Sequence, residues 1–288
     1  SSSLISKDRL FSATDNNHIV AFFGKVCKAC GLIYWKVESS SIMTRETFSR
    51  RINAMWAEYY NQDPRVMARS GTTLIQQADY TDRRVVLYTF KRRVFAQVAP
   101  PLLDDTQATV RKLGHGHTLT VDDLVSDWGI EPAQRVQSTV YHLYPPDFIP
   151  ATVPDGFTLR RLEEKDDDAL ARLRGAVTED EAAEGDVEIE HDDSTGVFDS
   201  DRLTAVASSY IFRGFVDVGV LTHAKYRKKG LGTAVVSAVI SQILDRQNQP
   251  IYRAAATNVG SVKIAERLGF RPYVQVSALV VDDDLQMV

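Results

Sequence analysis

The chain has 288 residues, 44% of them hydrophobic and 25% charged, and its formal net charge is −4 at pH 7. That length suits two globular domains, and neither half is basic enough to make nucleic acid the expected partner. The sequence has no apolar run near the roughly 20 residues of a membrane span and no secretory signal pattern at its start, so we expect a cytoplasmic protein without a membrane partner.

Two cysteines, Cys27 and Cys30, are the first residues in chain order that could carry chemistry. Their C-x-x-C spacing is found in redox pairs and in half of a zinc site. A zinc site normally needs four ligands, and the nearest histidine, His18, is isolated. We therefore expect two reduced thiols and no bound metal.

The rest of the first half has the pattern of an α+β domain. TRETFSRRINAMWAEYYN, residues 44–61, places its apolar side chains at helical spacing and predicts an amphipathic helix. TTLIQQA, RRVVLYTF and RRVFAQVAP then predict strands, and two helices follow. The second of these helices has a capping-box pair, Thr120 and Asp123, and a terminal Gly129. Nothing in this half indicates a reaction.

A proline-rich segment, YPPDFIPATVPDG at residues 144–156, comes next, and its four prolines predict an extended connection. We therefore divide the chain into an N-terminal α+β domain at 1–144, a linker at 145–155 and a C-terminal domain at 156–288. The second domain is predicted to follow the order strand, helix, acidic segment, antiparallel strands, glycine loop, helix, strand, helix and strand.

The acidic segment is TEDEAAEGDVEIEHDD, residues 178–193, with nine Asp or Glu and no Lys or Arg. Acidic runs of this kind are usually solvated or disordered, so a disordered regulatory loop is one interpretation. The other is that its carboxylates attract a cationic acceptor molecule.

The glycine loop, YRKKGLGTAV at residues 226–235, joins a predicted strand to a predicted helix. The unpaired N–H groups of the first helical turn and the positive end of the helix dipole form an anion site. Glycine lets the backbone approach a phosphate closely, and Arg227, Lys228 and Lys229 add positive charge. The expected ligand is a pyrophosphate. The Walker pattern is absent, and the dinucleotide fingerprint fails at Val235.

This loop resembles that of the GNAT acetyltransferases, whose signature R/Q-x-x-G-x-G/A is matched by Arg227, Gly230 and Gly232. A second segment, NVGSVKIAERLGF at residues 258–270, is similar to the family's following motif. The resemblance covers residues 156–282. It implies an α/β (α+β) fold with a mixed central sheet flanked by helices, and acetyl-CoA as cosubstrate. By analogy with family members that carry two such halves, the N-terminal half would be a degenerate acetyltransferase-like domain.

The resemblance also implies a cofactor site. Amides of the glycine loop would bind the CoA pyrophosphate, the preceding strand would pair with pantetheine, and one strand N–H would point at the thioester oxygen. The residues implied to bind the cofactor are Val220, Leu221, Thr222, Arg227, Lys228, Lys229, Gly230, Leu231, Gly232, Thr233, Asn258 and Ser261.

Acetyl transfer to an amine needs a base for the amine and a proton for the departing thiolate. The family commonly supplies that proton from a Tyr at the position of Ala265. Three alternatives stay open: Ser261 or Tyr252 replaces it, the thiolate leaves unaided or through water, or the domain has lost catalysis. The candidate bases are Glu188, Glu190, His191, Asp217 and His223.

We therefore predict an N-acetyltransferase that moves an acetyl group directly from acetyl-CoA to a primary amine of a cationic small molecule or protein. The alternative is a non-catalytic acyl-CoA-binding regulatory module. A nucleotide-hydrolysing P-loop protein is disfavoured because the Lys-Ser/Thr pair is absent. Both a monomer and a homodimer are compatible with the sequence.

Overall fold

The computed structural model describes the backbone of residues 8–15, 18–26 and 33–41, and the backbone and side chains of residues 43–281. The chain divides into two compact units, Ser1–Ile52 and Asn53–Val288. Cys27 and Cys30 lie outside the described residues, so the expectation of reduced thiols stays a prediction.

The first unit contains a three-stranded antiparallel sheet. Its strands are β1 (Asp8–Asp15), β2 (His18–Val26) and β3 (Ile33–Ser41), arranged in chain order. No strand is predicted here from the sequence. Helix α1 (Arg45–Tyr59) follows, as the spacing of its apolar residues predicts, and it continues into the second unit.

The second unit is built on a mixed ten-stranded sheet. Its strands are β4 (Gly71–Gln76), β5 (Arg84–Thr89), β6 (Arg93–Val98), β7 (Gln134–His142), β8 (Thr158–Arg161), β9 (Asp192–Asp199), β10 (Arg202–Phe212), β11 (Phe215–Thr222), β12 (Pro250–Ala255) and β13 (Arg271–Val280). They lie in the order β4-β6-β5-β13-β7-β12-β11-β10-β9-β8. The mixed sheet flanked by helices is the predicted fold class.

Six further helices belong to this unit. They are α2 (Leu103–Leu113), α3 (Val121–Trp128), α4 (Asp167–Arg174), α5 (Glu179–Gly185), α6 (Leu231–Asp245) and α7 (Val259–Arg267). The capping box of α3 forms as predicted between Thr120 and Asp123, and Gly129 ends the helix in the left-handed conformation. Local sequence signals therefore fixed both ends of this helix.

The sheet continues across the proline-rich segment. Strand β7 precedes that segment in the chain, yet it lies between β12 and β13, which follow it, and pairs antiparallel with both. The segment itself packs on the core: the Ala151 N–H donates to Ser237 Oγ of α6 at 2.8 Å. The domain ranges 1–144, 145–155 and 156–288 stay a prediction.

Each face of the C-terminal strands is covered by helices. Helices α6 and α7 cover one face, with Val216, Val218, Val235, Val239, Ile240, Ala265 and Phe270 in a common core. Helix α4 covers the other face, with Leu170, Leu173, Leu203, Val206 and Leu221 in a second core. A third core joins α2 and α3 to β5, β6 and β13. Side chains of alternate residues in β11 therefore point to different environments.

Candidate functional site

An opening in the sheet defines the candidate site. Strands β11 and β12 are parallel and pair only at Val216 with Pro250 and at Asp217 with Ile251. Strand β11 keeps all eight of its pairs with β10, and β12 keeps five with β7. Beyond Asp217, the edge of β11 that faces β12 therefore lacks a strand partner. A cleft of about 780 Å³ opens at this point.

The predicted cofactor-binding residues meet at this cleft. All of them line it except Lys229. The Lys229 ammonium lies 4.9 Å from the centre of the Tyr226 ring and 6.0 Å from that of Phe157. The Lys229 side chain therefore makes cation–π contacts with these rings and does not line the cleft.

The glycine loop turns its backbone towards the cleft where α6 begins. Lys228 and Gly230 are both left-handed, with φ of 64° and 83°, and Gly230 is the N-cap of α6. A Cβ on Gly232 would lie 3.0 Å from Thr222 Oγ1 and 3.1 Å from Ile264 Cδ1. The first turn of α6 therefore lies close to the end of β11, and its free N–H groups form an anion cradle beside it.

Helix α5 contacts the cleft through two carboxylates. Glu181 forms an ion pair of 2.8 Å with Arg227, and Glu184 accepts a hydrogen bond of 3.0 Å from the Asn258 side-chain amide. Asn258 also caps α7, because its Oδ1 accepts from the Ser261 N–H at 3.1 Å. Two residues implied to bind the cofactor are thus held by α5.

The end of α5 packs directly on β11. A Cβ on Gly219 would lie 2.2 Å from the Gly185 carbonyl oxygen and 2.5 Å from that of Asp186. These distances are shorter than any real Cβ contact, so only glycine fits at this position of the strand. The fit brings the acidic segment against the open edge of the sheet.

Tyr252 is a buried polar side chain of the cleft. It lines the cleft, is 1% exposed, and its hydroxyl has no hydrogen-bond partner. Burial raises the pKa of its phenol, and the neighbouring Ser261 side chain lowers it by less. The phenol is therefore protonated at neutral pH. Ala265 is fully buried in the same core as Tyr252.

The candidate bases of the acidic segment lie in different surroundings. Glu188 forms an ion pair of 2.6 Å with Arg174, and Glu190 is exposed. His191 is half-buried, with Nδ1 3.0 Å from Ser208 Oγ and its ring centre 5.0 Å from that of Tyr210. His191 thus packs against side chains of β10, whereas Glu188 is paired with a helix residue; none of the three candidates lines the cleft itself.

Asp217 belongs to a buried polar network at the point where the strands separate. Its carboxylate accepts from Arg253 Nε and, at 3.3 Å, from the Tyr210 hydroxyl. Arg253 Nη2 in turn donates to the Tyr210 oxygen at 2.6 Å, and Arg253 lines the cleft. The pKa of Asp217 is raised because burial outweighs the opposing effect of the Arg253 guanidinium.

His223, the remaining candidate, has a local structural contact. Its Nδ1 accepts from the Lys225 N–H at 3.2 Å and caps the 3-10 turn Ala224–Tyr226. The cleft has three further basic residues that were not predicted from the sequence, Arg253, Lys263 and Arg267. Two sequence signals could have indicated them. Arg253 is a charged residue inside a predicted buried strand, and Lys263 and Arg267 are cations four residues apart on a predicted helix.

Comparison with known families identifies this part of the chain. Residues 195–278 match the family model described as GNAT acetyltransferase. This segment runs from β9 into β13 and supplies most of the lining of the cleft, to which α5 also contributes. It is a GNAT acetyltransferase domain, as its two motifs imply. None of the curated proteins compared with the chain matches it.

Solved structures of acetyltransferases are also similar to the chain. A GNAT-family structure from Novosphingobium aromaticivorans is 24% identical, with 52% of this chain and 65% of that chain covered and a TM-score of 0.42. A GCN5-related N-acetyltransferase from Kribbella flavida is 17% identical, with 81% and 95% covered and a TM-score of 0.47. An acetyltransferase from Salmonella typhimurium, solved with acetyl-CoA, is 15% identical, with 46% and 99% covered and a TM-score of 0.34. All three TM-scores are below 0.5.

The helices and the acidic and histidine side chains also bear on membranes and metals. Among the residues that the structure describes, no helix has the length and apolar character needed to cross a bilayer. Within the same residues, no three His, Cys, Asp or Glu side chains are grouped as metal ligands.

Proposed function

We propose that the chain is an N-acetyltransferase that transfers an acetyl group from acetyl-CoA directly to a primary amine. The observation that carries this proposal is the cleft at the open junction of β11 and β12 in a segment of the GNAT family. One end of the cleft has an anion cradle, and its buried part has a protonated phenol without a partner.

The shape of the cleft fits acetyl-CoA in three parts. The amides from Lys228 to Thr233 would hold the pyrophosphate at the start of α6. The open edge of β11, from Gly219 to Thr222, would hydrogen-bond the amides of the pantetheine arm as an additional strand does, since the Val218 N–H already donates to Asp217 Oδ1 at 2.9 Å. The thioester would then reach Tyr252, whose hydroxyl lacks a partner.

The reaction needs two proton movements besides acyl transfer. The amine nitrogen attacks the acetyl carbonyl carbon, the C–S bond breaks, and the CoA thiolate and an N-acetyl product result. We assign Tyr252 as the proton donor to the thiolate. Its raised pKa keeps the proton on the phenol until the CoA thiolate forms beside it. We assign His191 as the acceptor of the amine proton, since it packs on Tyr210 beside Arg253 of the cleft.

The acceptor is proposed to be a primary amine of a small molecule or a protein. The acidic segment supports a cationic acceptor less than the sequence implies, because Glu181, Glu188 and Asp193 are paired with arginines. Glu184 is bonded to Asn258. These contacts neutralise much of the charge within the chain itself.

One observation favours the alternative function, a non-catalytic acyl-CoA-binding module. Ala265 stands where the family commonly has its proton-donating Tyr. The two functions differ in turnover, because a binding module would release no CoA from acetyl-CoA in the presence of any amine.

Calorimetric titration with acetyl-CoA tests the binding site. We expect wild-type protein to bind at micromolar affinity and Gly230→Glu to lose binding, because the new carboxylate would repel the pyrophosphate. Gly114→Glu is the matched control: Gly114 has φ of 82°, nothing lies within 4 Å of its Cβ position, and it does not line the cleft. Equal loss in both variants, or no binding by the wild type, would contradict the proposal.

Thiol release from acetyl-CoA with a panel of amines tests the chemistry. We expect Tyr252→Phe to lower kcat by about 100-fold while the KM for acetyl-CoA stays within about twofold, because only the proton is removed. Tyr80→Phe is the control, since its hydroxyl bonds Gln97 away from the cleft. Unchanged kcat in Tyr252→Phe would exclude the assigned proton donor, and absence of turnover with every amine would favour the binding module.

A further inference from the structure

The two faces of β12 carry different polar groups at the open junction. Tyr252 and Arg253 are consecutive in the strand, so their side chains point to opposite faces of the sheet. Tyr252 belongs to the core that α6 and α7 cover. Arg253 is paired with Asp217, which lies on the same face of β11 as Gly219, where α5 packs. Both Tyr252 and Arg253 line the cleft, so it has a phenol on one face and a guanidinium on the other.

The Arg253 guanidinium is held by three neighbouring side chains. Its Nε donates to the Asp217 carboxylate, its Nη2 donates to the Tyr210 oxygen at 2.6 Å, and its Cζ lies 4.2 Å from the centre of the Phe212 ring. The Asp217 side chain is 2% exposed, whereas that of Arg253 is 40% exposed. The ion pair therefore presents its cation to the cleft and keeps its anion behind it.

One nitrogen of this guanidinium is available to a ligand. Nη1 of Arg253 donates to no residue that the structure describes. Because the guanidinium is planar and already fixed, it loses little conformational freedom when it binds one more oxygen. Carboxylates and phosphates are the anions that arginine binds best. Asp217 already offsets the charge of Arg253, so a singly charged carboxylate suits this position better than a doubly charged phosphate.

The proposed base lies on the same side of the sheet as Arg253. His191 packs on Tyr210, with ring centres 5.0 Å apart, and Tyr210 bonds Arg253. An amine that attacks the thioester and gives its proton to His191 would therefore approach past Arg253. The guanidinium would repel an acceptor that is only cationic, whereas it would attract an amine that also carries a carboxylate.

We propose that the acceptor is an amino acid, whose carboxylate binds Nη1 of Arg253 while its amine faces the thioester beside Tyr252. This inference rests on the proposed function, because it assumes acetyl-CoA in the cleft. The two groups of the acceptor must lie close together, since the Cα atoms of consecutive residues are about 3.8 Å apart. An α- or β-amino acid meets that requirement. The products are an N-acetyl amino acid and CoA, with the same bonds and protons exchanged as in the proposed reaction.

Acceptors that differ only in the carboxylate test this inference on the wild-type protein. Thiol release from acetyl-CoA is followed with the common L-amino acids, glycine and β-alanine, with the carboxamide of each, and with diamines that have no carboxylate. We expect the kcat/KM of the best amino acid to exceed that of its carboxamide by at least about tenfold. Intrinsic reactivity would give the opposite order, because the amine of the carboxamide is less basic and is more often neutral at pH 7.

Two variants assign the preference to Arg253. Arg253→Lys keeps a cation for Asp217 but has a single nitrogen, and Asp217→Asn/Arg253→Met removes both charges of the pair. We expect each variant to lose most of the preference. The ratio compares two acceptors in one protein, so a general loss of activity cancels from it. Arg135→Lys is the matched control, since this arginine forms an exposed pair with Asp122 away from the cleft, and it should keep the wild-type ratio. Thermal unfolding checks that each variant is folded.

The possible results separate the two proposals. Equal kcat/KM for amino acids and their carboxamides, or turnover of diamines alone, would overturn this inference and leave the proposed function standing. A preference that survives in both Arg253 variants would also overturn it, because another group would then bind the carboxylate. Weaker binding of acetyl-CoA with both acceptors slowed equally would assign Arg253 to the cosubstrate and would overturn it as well. Absence of turnover with every amine would contradict the proposed function itself, and this inference with it.

Discussion

The two edges of β12 differ in how completely they are paired. The edge towards β7 is closed by five antiparallel pairs, whereas the edge towards β11 is joined at two positions and then opens. Both junctions lie in the same sheet and share a core with the same helices. The comparison shows that the candidate site arises where the pairing of β11 with β12 stops, because the backbone groups of that edge have no strand partner and can bind a ligand.

The side chains beside the two junctions also differ, in polarity. Near the closed junction, the ring of His142 packs between Phe215 and Tyr273, with ring centres 4.9 and 4.8 Å away, and its Nε2 accepts from the Trp56 indole. Near the open junction, Asp217, Arg253 and Tyr210 form hydrogen bonds and one ion pair. Hydrophobic packing closes one junction, and a polar network lies where the other opens.

Removal of Arg253 should have the largest effect on the open junction. Arg253→Met leaves the 2%-exposed Asp217 without its cation, so we expect a loss of roughly 3 kcal/mol in the free energy of unfolding. Denaturant titration measures it, and the double variant Asp217→Asn/Arg253→Met should recover much of the loss. Arg135→Met, which breaks an exposed pair with Asp122, is the control and should cost under about 1 kcal/mol. Equal costs in Arg253→Met and Arg135→Met would show that burial of the pair is unimportant.

A side chain at position 219 should cause the next largest loss in the free energy of unfolding. Gly219→Ala places a Cβ against the Gly185 and Asp186 carbonyls, so we expect α5 to shift and stability to fall by roughly 2 kcal/mol. Affinity for acetyl-CoA should change as well, since α5 holds Arg227 and Asn258. Gly175→Ala has its nearest neighbour at an ordinary 3.6 Å and serves as the control. A Gly219→Ala protein as stable as this control would contradict the described contact.

The effect that is smallest near neutral pH concerns the closed junction, because it appears only in acid. Burial lowers the pKa of His142 from 6.5 to about 3, so the folded state binds fewer protons than the unfolded state between these values. Stability should therefore fall as pH drops below 6.5, by about 1 kcal/mol per pH unit from this group. His142→Gln keeps an acceptor for the Trp56 N–H and removes the titration.

Denaturant unfolding from about pH 6.5 to 4.5 compares the two proteins on this point. The wild type should lose stability more steeply than His142→Gln. Parallel profiles would mean that His142 takes up its proton in the folded state, contrary to its complete burial.

Some of the site could be predicted from the sequence because its signals are local. The glycine loop, the first turn of α6 and the Asn258 cap of α7 depend on residues a few positions apart, and the structure builds each of them. The surroundings of the candidate bases could not be predicted. Whether an acidic residue is free or paired depends on distant partners, as Glu181 with Arg227 shows.

By itself, the sequence determined the loop, the helix that follows it and the family of residues 195–278, because backbone preference and motif spacing act over short distances. Only the tertiary structure decided that β7 lies between β12 and β13, that Tyr252 is buried without a partner, and that Lys263 and Arg267 line the cleft. These features depend on which strand edges pair and which stay open. Pairing joins residues far apart in the chain, and its outcome is set by the packing of the whole sheet.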